Sequence, residues 1–222
     1  MSPSANKPFD RTGVADYEKR RYRGLDQRLV DRRERAILRR LLRNVGNEKP
    51  AGSAPVRPLV LDAPCGYGRF TGLLLDAGVK LVSSDLAKAM VERALENKSD
   101  PKHVGGVVSD FRRGLPFRTE AFHYVFSMRL FHHLHEPDDR KAVLREFART
   151  AKSGAILSFY KVRGIHAFQR RIRRLLKKAR REIKMIPGAT FEQEIREAGF
   201  TVERVIPLFR GVHAQHIVLL KK

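Results

Sequence analysis

Cysteine occurs once in this 222-residue chain, at Cys65. A single thiol excludes an internal disulfide framework and a multi-cysteine zinc site, and it fits a reducing, cytoplasmic setting. No apolar run reaches the roughly 20 residues that a membrane-spanning helix needs. The opening MSPSANKPFD has no apolar stretch after its lysine, so it does not read as a secretory signal. Internal repeats and low-complexity tracts are missing too. Acidic residues are few: 24 Asp and Glu against 46 Lys and Arg, a net charge of +22. Apolar residues still make up 42%, which supports one sizeable folded core and leaves little for a second.

The positive charge is concentrated. Residues 17–43 hold 11 Lys and Arg against 4 Asp and Glu, and residues 161–184 hold 11 against 1. Residues 59–160 are nearly balanced, at 15 against 12. Two basic appendages on a neutral globule attract polyanions: nucleic acid, an anionic membrane surface or a phosphorylated substrate.

Residues 1–50 read as a loose leader and a basic helical cap, with helix from about Ala15 to Arg43 and a break at Gly24. Leu25, Leu29, Ile37, Leu38, Leu41 and Leu42 give its apolar stripe. A Pro/Gly/Ser connector follows. From 51 to 222 strands and helices alternate. PLVLDA, VKLVSSD, HVGGVVSD, FHYVFSM and AILSFYKV read as strands. GRFTGLLLDAG, LAKAMVERALEN and DDRKAVLREFARTA read as the helices between them, the last stopping at Ser153-Gly154. A basic helical insertion occupies 161–190. The helix TFEQEIREAG and two closing strands complete the chain, and their short turn predicts an antiparallel hairpin. Strand alternating with helix predicts an α/β fold, a mostly parallel sheet covered on both faces.

In such sheets, ligands bind beyond the carboxyl ends of the strands, near the switch in strand order. VLDAPCGYGRF, residues 60–70, lies at that end of the first strand, and its glycines let a ligand approach the backbone. Asp85 ends the second strand, 23 residues after Asp62, a spacing suited to a ribose diol. Asp110 ends the third. Three carboxylates at three successive strand ends say more than a glycine motif alone.

On these residues the chain resembles the class I S-adenosylmethionine-dependent methyltransferases, in style the small quinone-biosynthesis type. The likeness covers about 56–160 and, less fully, the closing hairpin. It implies a Rossmann-like, seven-stranded sheet, S-adenosylmethionine as cofactor, and methyl transfer as the activity. LDAPCGYG stands where the family has D-x-G-x-G-x-G. By resemblance Gly66 and Gly68 pass the amino-acid part of the cofactor, with Asp62 near its ammonium end and Ala63 and Tyr67 in the same binding loop. Asp85 takes the ribose hydroxyls, Leu86 and Met90 flank the adenine, and Ser109-Asp110-Phe111 meets the adenine edge. Met128 and Arg129 lie between cofactor and acceptor, followed by the family's FHHL turn. An N-terminal helix often lids such pockets, which makes Arg20 and Arg21 candidates for the methionine carboxylate; the plain alternative is a solvated charged helix. Three positions depart from the pattern: Pro64 replaces the first glycine, His123 replaces the usual Asp, and Arg129 is an unusual charge that points to an acidic acceptor.

Other readings of these features compete. GYGRFTG also fits a dinucleotide loop, but Asp62 precedes it at the strand end and no Tyr-x-x-x-Lys pair exists for hydride chemistry. His132, His133 and His135 lack the supporting ligands of a metal site, so no metal is expected. His133 is the candidate general base, and the plain alternative is packing and turn capping. Cys65 reads as a small filler in the loop. The 165–184 segment has one apolar face and an otherwise basic surface. It suits an anionic membrane surface, an RNA face or a packed lid, and its single aromatic, Phe168, weakens the nucleic-acid reading. The expected acceptor is small or lipid-linked and anionic, methylated on oxygen. A tRNA or rRNA methyltransferase and a non-catalytic cofactor-binding or lipid-binding module are the alternatives. The expected location is the cytoplasm, with or without a membrane surface.

Overall fold

Short aliphatic runs at regular intervals build the frame. The structure is a computed structural model that describes residues 24–46, 57–96, 100–162, 185–211 and 213–222. The first helix, α1, spans Leu25–Gly46, followed by β1 (Leu59–Asp62), α2 (Thr71–Asp76), β2 (Lys80–Asp85) and α3 (Lys88–Glu96). Then come β3 (His103–Val108), β4 (Phe122–Ser127), α4 (Pro137–Thr150) and β5 (Ala151–Tyr160). The chain closes with α5 (Gly188–Glu197), β6 (Thr201–Pro207) and β7 (Gln215–Lys221). The predicted helical segments at 15–23 and 165–184 lie outside the described residues, as do Arg20 and Arg21.

All seven strands join one sheet in the order β3-β2-β1-β4-β5-β7-β6. The first five strands pair in parallel; β7 runs antiparallel to both β5 and β6. The strand order switches direction between β1 and β4, and that places the crevice expected for a ligand beyond their carboxyl ends. The alternation of side chains along each strand divides the core in two. Leu61, Val125, Leu157 and Val218 face α4 and α5 with Phe131, Phe147 and Phe191. Val60, Tyr124, Phe126, Ile156 and Ile217 face α1 and α2.

Ile37, Leu38, Leu41, Leu42 and Val45 of α1 are buried in that second core, so the described part of the N-terminal segment covers the sheet itself. Leu29, expected on the same stripe, is 58% exposed and lies off it. Another expectation fails at Ser153-Gly154. Helix α4 stops at Thr150, and both residues belong to β5, which pairs with β7 from Gly154 to Tyr160. Glycine is needed there because a Cβ would strike the Leu220 carbonyl oxygen of β7. Helix α4 itself begins at a proline, with Asp138 and Asp139 in its first turn and Arg149 in its last, as the helix dipole favours. His123 accepts a hydrogen bond from the Leu59 N–H at 3.0 Å, tying the start of β4 to the start of β1 at the end remote from the crevice.

Candidate functional site: a cofactor crevice at the strand ends

Beyond Asp62 the chain turns tightly over the sheet. The Ala63 N–H donates to the Phe126 carbonyl at 2.9 Å, and the Cys65 N–H to the Ser84 carbonyl at 2.8 Å, so the loop is laced to β4 and β2. Gly66 and Gly68 have φ of 53° and 82°, a region glycine enters without strain. The Gly66 N–H donates to Asp85 Oδ2 at 3.0 Å, and the Ala87 N–H to Asp85 Oδ1 at 3.0 Å. One carboxylate therefore sets the β1 loop and the turn into α3 together.

Asp62 is almost wholly buried, and its Oδ2 has no hydrogen-bond partner. Burial, and after it the charge of Asp85, push the Asp62 carboxyl well above the usual carboxylate range. Burial raises Asp85 too, partly offset by N–H bonds from Ala87, Gly66 and Leu86. Two carboxylates with raised pKa at adjoining strand ends form a site that gains from a cation or hydrogen-bond donors. The same burial, with Asp62 and Asp85, drives the Cys65 thiol far up, so it stays a neutral filler.

Around this pair the expected residues divide. Leu86 is 60% exposed at the end of β2. Tyr67 and Met90 are buried together in a small cluster beside Ala87 and Ala89. The Ser109 and Ser84 hydroxyls lie 2.8 Å apart. Asp110 is gripped by Arg112, with Nε to Oδ1 at 3.0 Å and Nη2 to Oδ2 at 2.8 Å, which holds its carboxyl below the usual range. Phe111 turns its ring into the core, 6.2 Å from Phe147, and Met128 is buried in the α1-side core.

Past β4 the backbone is held in an uncommon form. Arg129 has φ 63°, and its N–H donates to Ser158 Oγ at 2.8 Å. The next residues carry rings. His132 lies 3.9 Å from His133 and 5.0 Å from Tyr160, centroid to centroid, and Tyr160 lies 6.3 Å from His213. His133 is exposed. These residues line the carboxyl ends of β4 and β5 and the adjoining start of β7. The ends of the basic segment meet at the same edge: Ile186 N–H donates to the Tyr160 carbonyl at 2.8 Å, and Val162 N–H to the Ile186 carbonyl at 3.1 Å.

Residues 61–159 match the protein family described as "Methyltransferase domain". Residues 61–159 carry a methyltransferase domain. None of the curated proteins compared with it matches at a significant level. Among solved structures, the chain is similar to the magnesium protoporphyrin IX methyltransferase of Synechocystis, solved with bound S-adenosylhomocysteine. That match has 18% identity, 96% coverage of each chain and a TM-score of 0.74. It is also similar to an S-adenosylmethionine-dependent methyltransferase of Aquifex aeolicus, at 18% identity, 96% and 98% coverage and a TM-score of 0.59. A third likeness is a TehB-like methyltransferase of Corynebacterium glutamicum, at 18% identity, 96% and 99% coverage and a TM-score of 0.60. At these identities the likeness carries the fold alone.

The crevice has groups of the kind that S-adenosylmethionine would need. The unpartnered Asp62 Oδ2 suits an ammonium group, and the Cβ direction at Gly66 opens on empty space. Among the described residues, no group of three or more His, Cys, Asp and Glu is placed to hold a metal ion, and no helix is long and apolar enough to cross a membrane.

The structure also brings in residues that sequence reasoning missed. Glu34 of α1 is fully buried and accepts from Arg69 Nη2 at 2.6 Å, Arg129 Nη2 at 3.0 Å and Gln215 Nε2 at 2.5 Å. The signal was in the sequence: Glu34 falls in step with Ile37, Leu38, Leu41 and Leu42 on the apolar stripe.

Proposed function

We propose that this methyltransferase transfers the methyl group to an oxygen of a small or lipid-linked anionic acceptor seated at the carboxyl ends of β4 and β5. The observation that carries this reading is where the basic segment joins the fold. Residues 161–184 hold 11 Lys and Arg, and the described residues on either side of that run's undescribed part, Val162 and Ile186, are bonded to each other beside Tyr160.

Bound S-adenosylmethionine supplies a methyl group already activated on a sulfonium. The chain's own part is binding and alignment. Asp62 would take the ammonium, Gly66 and Gly68 would let the amino-acid part lie on the backbone, and Asp85 would take the ribose hydroxyls. Leu86 and Met90 would flank the adenine, Ser109 and Asp110 its edge, and Met128 the sulfonium side. Arg129, His132 and Tyr160 would frame the acceptor. An acidic oxygen is already anionic and needs no base. For a hydroxyl acceptor, exposed His133 would receive the proton.

The test is transfer of tritiated methyl from S-adenosylmethionine to cell extract, followed by product chemistry. Alkali-labile volatile label marks a methyl ester, and stable label in the organic phase marks an ether or lipid product; either supports the reading. Magnesium protoporphyrin IX, the acceptor named for one structural neighbour, belongs in the acceptor panel. Ribonuclease-sensitive, acid-insoluble label would overturn it in favour of RNA methylation.

A further inference from the structure

Glu34 joins two halves of the crevice that the chain brings from far apart. Arg69 directly follows Gly68 of the β1 loop, and Arg129 directly follows Met128 after β4. Both guanidiniums converge on Glu34 Oε2, while Oε1 is held by Gln215 of β7. Helix α1 grips Arg69 at three further points. Asp31 Oδ1 accepts from its Nη2 at 2.5 Å and its Nε at 3.2 Å, and Arg35 Nη2 donates to its carbonyl at 3.0 Å. The Arg69 guanidinium also lies 4.3 Å from the Phe70 ring centroid. Removing the Glu34 carboxylate takes away the one acceptor that Arg69 Nη2, Arg129 Nη2 and Gln215 Nε2 share.

We infer that Glu34 is a positioning residue for methyl transfer: it locks the cofactor loop through Arg69 and the acceptor side through Arg129, so that occupancy of one half sets the other. This rests on the cofactor reading of the crevice. Arg69 sits one residue from Gly68, so fixing its side chain and its carbonyl fixes the loop whose backbone the cofactor meets. Arg129, with φ 63° and a partly buried side chain, is held at its N–H by Ser158 and at its tip by Glu34. Binding that stabilises one anchored loop stabilises the shared anchor, and through it the other.

The experiment is calorimetric titration of S-adenosylhomocysteine into the full chain and its variants, with hydrogen exchange in parallel. Glu34→Gln keeps the volume and removes the charge; it is expected to weaken binding about tenfold, the scale of a lost charge-assisted hydrogen bond. Arg35→Ala leaves Glu34 intact and removes the grip on the Arg69 carbonyl together with the Arg35–Asp31 ion pair, from a partly exposed side chain, and is expected to weaken binding about threefold. It keeps the test alive if Glu34→Gln does not fold. Glu194→Gln is the control. It breaks another buried ion pair, to Arg140 at 2.6 Å between α4 and α5, and is expected to lower stability while leaving the affinity unchanged. In wild type, ligand should slow amide exchange both at 66–70 and at 128–134; in Glu34→Gln the second effect should vanish. Wild-type affinity in both Glu34→Gln and Arg35→Ala would overturn the inference. So would equal weakening in Glu194→Gln, because the effect would then follow stability alone. A wild-type chain that binds no S-adenosylhomocysteine would remove the cofactor reading, and this inference with it.

Discussion

The Gly66 N–H donates to the Asp85 carboxylate at 3.0 Å, across the gap between the β1 loop and the end of β2. The bond makes Asp85, the proposed partner of the ribose hydroxyls, a strut for the loop beside it. It also sets stability against function. Burial raises the Asp85 pKa, so its charge costs the empty protein something. Asp85→Asn should leave the thermal stability equal or higher, and weaken S-adenosylhomocysteine about tenfold. Parallel melts and titrations check this; a loss of both together would mean that Asp85 is structural only.

Asp110 should matter far less. Both of its oxygens are already occupied by the Arg112 fork. Asp110→Ala is expected to change the affinity for S-adenosylhomocysteine by no more than about threefold, since a carboxylate with its own cation has little left to offer a ligand. A hundredfold loss would show that Arg112 yields to the adenine on binding.

Protons should accompany the ligand. Asp62 has a folded-state pKa raised above its unfolded value, so the empty folded protein keeps a proton that the unfolded chain has released. Its contribution to stability therefore falls as pH rises through the folded-state pKa. An ammonium group against Oδ2 favours the ionised form and expels that proton. Just above the ordinary carboxylate range, the binding enthalpy of S-adenosylhomocysteine should vary with the ionisation enthalpy of the buffer. Identical enthalpies in all buffers would remove Asp62 from the ammonium site.

Arg129 offers a test of backbone strain. At φ 63°, a Cβ costs about 1 kcal/mol that glycine avoids. Arg129→Ala and Arg129→Gly lose the same ion pair, so Arg129→Gly should be the more stable by that amount in urea titrations. The reverse order would place residue 129 in another conformation.

The strand-end carboxylates were legible because each acidic residue stops an aliphatic run, and that pattern depends on local order alone. The antiparallel hairpin was legible for the same reason. Other features depend on contacts between distant parts of the chain. Glu34 meets Arg69, Arg129 and Gln215 across 35, 95 and 181 residues, and a local pattern shows only that Glu34 sits on the apolar stripe. Nothing in AKSGAIL marks Gly154 as strand until β7 is laid beside it. The Phe111 ring, expected beside the adenine, is drawn into the core by Phe147, because a buried aromatic gains more than one left at a crevice rim.

The central claim is that the carboxyl ends of β1 and β2 hold S-adenosylmethionine. Titration of S-adenosylmethionine and S-adenosylhomocysteine into the full chain, beside Asp85→Ala, tests it most directly. The account predicts saturable binding of both ligands by wild type and its loss in a folded Asp85→Ala variant. Binding that survives in Asp85→Ala, or none in a folded wild type free of co-purified ligand, would contradict it.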